Sequence, residues 1–234
     1  MDTSNLLPIR GEERAPAIVA FAKHPRLERV KTRLAASIGA TSAVTIYEAM
    51  LKDTLSNLNL DQRVIKYIAT STSLKDKYFL DLAEEYSCRL LEQQGGDLGE
   101  RMLNCIEQLG NHHNLVIIVG TDAPILPMDG ISQGIADREN WDVMLGPTFD
   151  GGYYLIGMHH PQPELFSRIA WSTGTVLSQT RSRCLANKLR IRELPAYVDV
   201  DDRESLQCLA KILDTFPQVA PRTAQCCREF GILI

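Results

Sequence analysis

Three short stretches hold the residues with which this chain could do chemistry. "KHPRLERVKTRL" crowds Lys23, Arg26, Arg29, Lys31 and Arg33 into eleven positions. Such a loop suits a phosphate or diphosphate, because lysine brings a point charge and arginine a two-pronged donor. It lacks the Gly-x-x-x-x-Gly-Lys-Ser/Thr spacing of a Walker A loop. "GTDAPILP" places Asp122 just past the apolar run "LVIIV", and "DVDD" supplies Asp199 and Asp201. Carboxylates facing a diphosphate are a donor set for a hard cation, Mg²⁺ or Mn²⁺. Asp122 is the first expected metal ligand and Asp201 the second, with Asp199 a rival for that place. Each acid also has a plainer reading. Asp122 can be a turn former before Pro124, and Asp201 or Asp202 an N-cap for the helix containing Leu206 and Leu209.

Two further segments combine glycine with polar groups. In "QQGGDLGERM", Gly96, Asp97 and Arg101 are candidate contacts for a nucleotide base or ribose, or a strand-to-helix turn capped by Asp97. In "PTFDGGYYLIG", Asp150 can contact an acceptor or act as a base, while Gly151 and Gly152 allow positive φ and a close backbone approach. The same Asp-Gly pair is a hairpin signal. Tyr153 and Trp171 are candidate surfaces for a sugar or acceptor, and Ser172 reads as a helix N-cap. The histidines show no metal spacing. The six cysteines form no Cys-x-x-Cys pair, which reads as reduced thiols in a cytoplasmic protein.

The elements that must position these residues alternate. Strands are expected at "AIVAFA", "RVIKYIAT", "CRLLEQ", "LVIIVG", "DVMLGP", "GYYLIGM" and "RIREL". Helices are expected at "ATSAVTIYEAMLKDTLSNL", "SLKDKYFLDLAEEY" with Ser73 as N-cap, "DLGERMLNCIEQLG", "PMDGISQGIADRE", "TGTVLSQTRSRCLANK", "DRESLQCLAKIL" and around Cys226–Cys227. This order implies an α/β fold, a three-layer α/β/α sandwich with a mainly parallel mixed sheet and "LVIIVG" near its centre. The candidate segments then gather beyond the carboxyl ends of the strands, where ligands bind in open α/β sheets. Residues 1–15 read as a polar arm and 16–234 as a single domain. The net charge of −4 gives no footprint for nucleic acid, and no apolar run is long enough to span a membrane.

In this order the blocks "FAKHPRLERVKTRL", "GGDLGERM", "GTDAPIL", "GPTFDGGYYLIG", "AWST" and "DVDD" resemble bacterial glycosyltransferase-like proteins of the radical-SAM/selenodomain-associated type. The resemblance runs from about Ile18 to Leu209. It implies the nucleotide-diphospho-sugar transferase superfamily and the GT-A fold, with molybdenum-cofactor and phospholactate guanylyltransferases and sugar-nucleotide cytidylyltransferases as relatives. By it, Asp122 is the strand-end metal acid and Asp201 the late metal-binding aspartate. Lys31 and Arg33 are the basic pair of the VKTRL block. The chain departs from the pattern at Glu28, where the family usually has glycine, and in "VDDRESL", where a proline and a second acid are missing.

Three functions fit these residues. One is glycosyl transfer from a nucleotide-diphospho-sugar to a small-molecule acceptor. The second is nucleotidyl transfer from NTP to a phosphorylated acceptor, with release of pyrophosphate. The third is nucleotide binding without catalysis. In each, Lys31 and Arg33 are expected at the exposed rim, replaceable without unfolding. With no ion between them, Asp122 and Asp201 are expected to repel one another, so Asp122→Asn should leave stability intact or raise it.

Overall fold

Ala17–Ala22 forms β1, whose apolar side chains alternate between two buried faces: Ala17 and Val19 on one, Ile18 and Ala20 on the other. The same alternation repeats in β4 (Val116–Gly120), with Val116 and Ile118 opposed to Ile117 and Val119. A strand apolar on both faces requires a layer on each side, and the computed structural model, which describes residues 14–25, 30–58 and 64–232, supplies both. The remaining strands are β2 (Ile65–Thr70), β3 (Arg89–Glu92), β5 (Val143–Pro147), β6 (Tyr153–Met158) and β7 (Ile191–Glu193). They join in the order β3-β2-β1-β4-β6-β5-β7, with only β6 antiparallel to its neighbours. β4 is thus the middle strand, as expected, and β7 an edge.

One face carries α1 (Thr32–Ile38), α2 (Ala40–Asn57), α3 (Lys77–Glu85), α5 (Met128–Ala136), α7 (Arg203–Thr215) and α8 (Pro221–Glu229). The other carries α4 (Leu98–Gly110) and α6 (Val176–Ala186). This is the three-layer α/β/α sandwich with a mainly parallel mixed sheet. Among the described residues no helix is long and apolar enough to cross a membrane. The polar arm falls outside the described residues except for Arg14 and Ala15, and so do Arg26, Glu28 and Arg29.

Two helix starts differ from expectation. The cap of α3 is Asp76, which accepts from the Tyr78 amide at 3.0 Å, whereas Ser73 accepts from Lys75 within the preceding turn. A carboxylate two residues from the orphan amide outcompetes a hydroxyl further back. Ser172 does not cap α6: it sits at φ 62°, and Thr175 occupies the cap position without a side-chain bond to the first helical amides.

The last helix is held by a cap from outside itself. Ala220 precedes α8 and has no side-chain acceptor. Asp53, buried on α2, takes its place and accepts from the Arg222 amide (3.2 Å), the Thr223 amide (2.8 Å) and the Thr223 hydroxyl (2.8 Å). Removing it would strand several buried donors. Asp53→Ala should therefore cost about 3 kcal/mol in chemical denaturation and open the first amides of α8 to hydrogen exchange. A loss below about 1 kcal/mol would refute this anchoring role.

Candidate functional site

Asp122 lies two residues past the carboxyl end of β4. Its backbone carbonyl accepts from the Val200 amide at 3.0 Å, tying the strand end to the 199–201 segment. That segment is aimed by the sheet. Beyond β7 the chain keeps pairing with the extension of β5: Leu194 donates to Leu145, Tyr197 to Pro147, and Phe149 to Tyr197. It then crosses to β4 and enters α7, where Asp202 and Ser205 form a reciprocal capping box. The cap is therefore Asp202, which leaves Asp199 and Asp201 unused by the helix. Ligand oxygens of Asp122, Asp199 and Asp201 lie within 4.8 Å of one another, a geometry able to hold a metal ion. Asp199 and Asp201 are thus not alternatives; both face Asp122.

Lys31 corrects the expectation of a rim residue. Its side chain is 3% exposed, against 71% for Arg33. The ammonium lies 2.9 Å from Asp122 Oδ1 and 3.4 Å from Asp201 Oδ1, and it donates to the Val200 carbonyl. Burial works against its charge, but Asp122, Asp199 and Asp201 together raise its pKa above the usual lysine value. Burial, and then the charge of Asp122, raise the Asp199 carboxyl. Lys31 takes a left-handed backbone (φ 49°, ψ 44°) at the start of α1, a conformation that costs a non-glycine residue about 1–3 kcal/mol unless its surroundings hold it. Arg33 Nη1 stands 4.0 Å from Asp201 Oδ2, at the exposed edge.

Tyr47 fixes the mouth of the site and was not singled out beyond its apolar spacing on α2. Its hydroxyl accepts from the Lys23 amide (2.8 Å), donates to the Lys23 carbonyl (3.0 Å) and lies 3.4 Å from Thr121 Oγ1. It thereby pins the end of β1 to the residue before Asp122. Burial, reinforced by the charge of Asp122, pushes its phenol up. The Lys23 side chain itself is exposed. A tyrosine on the apolar stripe of a predicted helix was the available signal, because a buried phenol needs a hydrogen-bond partner.

The other candidates are placed as follows. Asp97 caps α4 by accepting from the Glu100 amide (2.8 Å), and Glu100 accepts from the Gly96 amide (2.7 Å). Arg101 Nε donates to Gly95 at 3.1 Å. Beside this turn, Phe21, Leu98, Met102, Ile118 and the tyrosines 153 and 154 line an apolar crevice of about 90 Å³. The Tyr153 phenol is turned into the apolar layer beside Thr180 and Cys184, and burial pushes it up. Asp150 is exposed at the β5–β6 hairpin tip and accepts from Thr148 Oγ1 (2.5 Å) and the Gly152 amide (3.1 Å). Gly151 adopts φ 89°, and a Cβ there would lie 2.1 Å from the Gly174 carbonyl, so its close approach is to the 172–175 loop. Trp171 packs over α4, where a Cβ at Gly99 would meet its ring at 2.4 Å. A cavity of about 660 Å³ between α1, α7 and the chain's end contains none of the three acids.

The ion pair reverses one expected sign. Asp122 does not wait in a repulsive pair; it is the nearest counter-charge of a buried ammonium. Removing one partner of such a pair costs up to 3–5 kcal/mol when fully buried. Asp122 is 35% exposed, which lowers that to about 1–2 kcal/mol. Asp122→Asn should lower the melting temperature of the metal-free protein at neutral pH. An unchanged or higher melting temperature would restore the repulsive picture.

The sequence profile of the family described as "Uncharacterized protein conserved in bacteria (DUF2064)" matches residues 54–173. A protein from Desulfovibrio desulfuricans provisionally named a nucleotide-diphospho-sugar transferase is 28% identical, with a TM-score of 0.82 over 93% of this chain and 96% of that one. A cytidylyltransferase from Leptospira borgpetersenii is 11% identical, with a TM-score of 0.53 over 95% of this chain and 97% of that one. A 4-diphosphocytidyl-2C-methyl-D-erythritol synthase from Anaerococcus prevotii is 9% identical, with a TM-score of 0.58 over 86% of this chain and 96% of that one. The last two show likeness of fold alone. Among curated proteins none matches. The sandwich is the GT-A-like fold of these transferases, and the chain belongs to the DUF2064 family.

Proposed function

We propose that this protein is a metal-dependent transferase acting on a nucleotide-activated donor, with glycosyl transfer from a nucleotide-diphospho-sugar as its reaction. The observation that carries this reading is the convergence of three carboxylates and the two basic residues Lys31 and Arg33 at the carboxyl end of β4. Asp122, Asp199 and Asp201 offer only oxygen ligands, which fit Mg²⁺ or Mn²⁺. When bound, such an ion neutralises charge building on the departing diphosphate.

The remaining roles belong to the chain's own side chains. Lys31 and Arg33 pair with the diphosphate oxygens. The apolar crevice at Phe21, Leu98 and Met102, beside the Gly96–Asp97 turn, accepts the base. Asp150 stands on the tip nearest the cluster acid Asp199, whose pKa its charge helps to raise. Its exposed carboxylate is available to an acceptor hydroxyl. The 28% identical relative named for sugar-nucleotide chemistry supports glycosyl transfer. The fold shared with cytidylyltransferases favours a second reading, nucleotidyl transfer with pyrophosphate release, built on the same groups.

Melting curves with nucleoside diphosphates and triphosphates, each with and without Mn²⁺, test the proposal. A ligand at a hundred times its Kd stabilises by about 2.7 kcal/mol. At least one nucleotide should shift the melt, and more so with Mn²⁺; Asp201→Asn should remove the Mn²⁺ increment. With the donor found, release of nucleoside diphosphate marks glycosyl transfer and release of pyrophosphate marks nucleotidyl transfer. A chain that no nucleotide stabilises, with or without Mn²⁺, is not such a transferase.

A further inference from the structure

Lys31 stands where a divalent ion would stand. Its ammonium touches Asp122 Oδ1 and Asp201 Oδ1 at 2.9 and 3.4 Å, and oxygens of these acids and of Asp199 lie within 4.8 Å of one another. Mg²⁺ or Mn²⁺ binds carboxylate oxygen at about 2.0–2.2 Å. An ion bridging these oxygens would press directly against the ammonium, placing like charges in contact in a half-buried site. The cluster is therefore not built for both cations together.

We propose that the Lys31 ammonium is the resident counter-ion of the acid cluster, and that a divalent ion and this ammonium exclude one another from it. Lys31 leaves the carboxylates for an incoming diphosphate as the ion takes its place. The proposal rests on the metal–diphosphate reading of the cluster and adds an order of events to it. Several features fit such an exchange. The lysine head is a point charge on a flexible four-carbon stem, which can change partner without moving the backbone. Arg33, largely exposed and 4.0 Å from Asp201, stands beside the same acids as a second cation for the diphosphate. The Val200 carbonyl that the ammonium gives up belongs to the segment that carries Asp199 and Asp201, so departure of the lysine is felt at both acids. Metal and diphosphate should then bind with positive coupling, since each removes the obstacle to the other.

The decisive measurement is the reactivity of Lys31 in the wild-type protein. Trace acylation of amines followed by peptide mass analysis reports whether the ammonium is sheltered. Lys31 should react slowly without metal and several-fold faster at saturating Mn²⁺. Lys188, exposed just before β7 at the opposite rim of the sheet, serves as the unchanging control. In parallel, Mn²⁺ alone is titrated into the wild type, Lys31→Met and Arg33→Met. Lys31→Met should bind Mn²⁺ at least about tenfold more tightly than the wild type, because a buried charge in contact with two of the acids is removed; Arg33→Met should change little, because that guanidinium is 71% exposed and screened by water. If Lys31→Met does not fold, the labelling of the wild type decides alone. Mn²⁺ binding with Lys31 still sheltered overturns the exchange while leaving the metal site standing, and so does an equal gain in the two variants. Mn²⁺ binding to neither the wild type nor Lys31→Met overturns the metal reading and the exchange with it.

Discussion

A buried ammonium among carboxylates is the constraint from which the arrangement of this site follows. Taking a lysine head group out of water costs several kcal/mol even after relaxation, and the cost is met only when counter-charges and hydrogen-bond acceptors arrive together. Lys31 receives Asp122 from the end of β4 and Asp201 and the Val200 carbonyl from the segment before α7. None of these lies near Lys31 in sequence. The pair also explains a local oddity. A lysine in the left-handed region is strained, and the contacts of its side chain are what hold it there.

The sheet does the positioning. β1 and β4 are adjacent and parallel, so the residues that follow them leave side by side at one rim. Tyr47 then joins the two exits through Lys23 and Thr121. The third contributor arrives differently. β7 is a short edge strand, yet the chain beyond it continues along β5 as far as Tyr197 before turning toward β4. That run delivers Asp199 and Asp201 across the two strands that separate β7 from β4. The antiparallel β6 matters here: it lets β5 and β6 meet in a hairpin whose tip, Asp150, lies at the same rim.

This division accounts for what the sequence could convey. Strands β1 and β4 announced themselves by continuous apolar runs, and the acids past them were legible because strand ends in open α/β sheets are where ligands collect. The helix starting at Asp202 was legible through its cap. What was not legible is pairing between distant residues. Nothing in "RVKTRL" says that the lysine turns inward and the arginine outward; that follows from acids on two distant segments that meet the Lys31 head. Asp53 looked like one more polar residue on an apolar helix, because the amides that it satisfies lie about 170 residues away. Ser73 and Ser172 were reasonable caps by residue type; Ser73 lost to Asp76, whose carboxylate stands nearer the first helical amides, and Ser172 to a left-handed backbone.

Two kinds of aspartate stand out among the described residues, and the contrast between them is itself a physical argument about function. Asp53, Asp76, Asp97 and Asp202 spend their charge on the backbone amides of helix starts. Asp150 spends part of its charge on the amide of Gly152 in its own turn. Such acids are locally complete and contribute to stability wherever they stand. Among the described residues, the carboxylates of Asp122, Asp199 and Asp201 receive no backbone amide. They lean instead on the Lys31 ammonium and, at the exposed edge, on Arg33, an arrangement in which burial and the charge of Asp122 raise the Asp199 carboxyl. Three acids sharing one buried ammonium and one exposed guanidinium are poorer at stabilising the fold than three capped acids would be. Their arrangement is intelligible as a place where two positive charges can replace the one that Lys31 brings, because the larger charge restores the balance which the folded chain, by itself, leaves short.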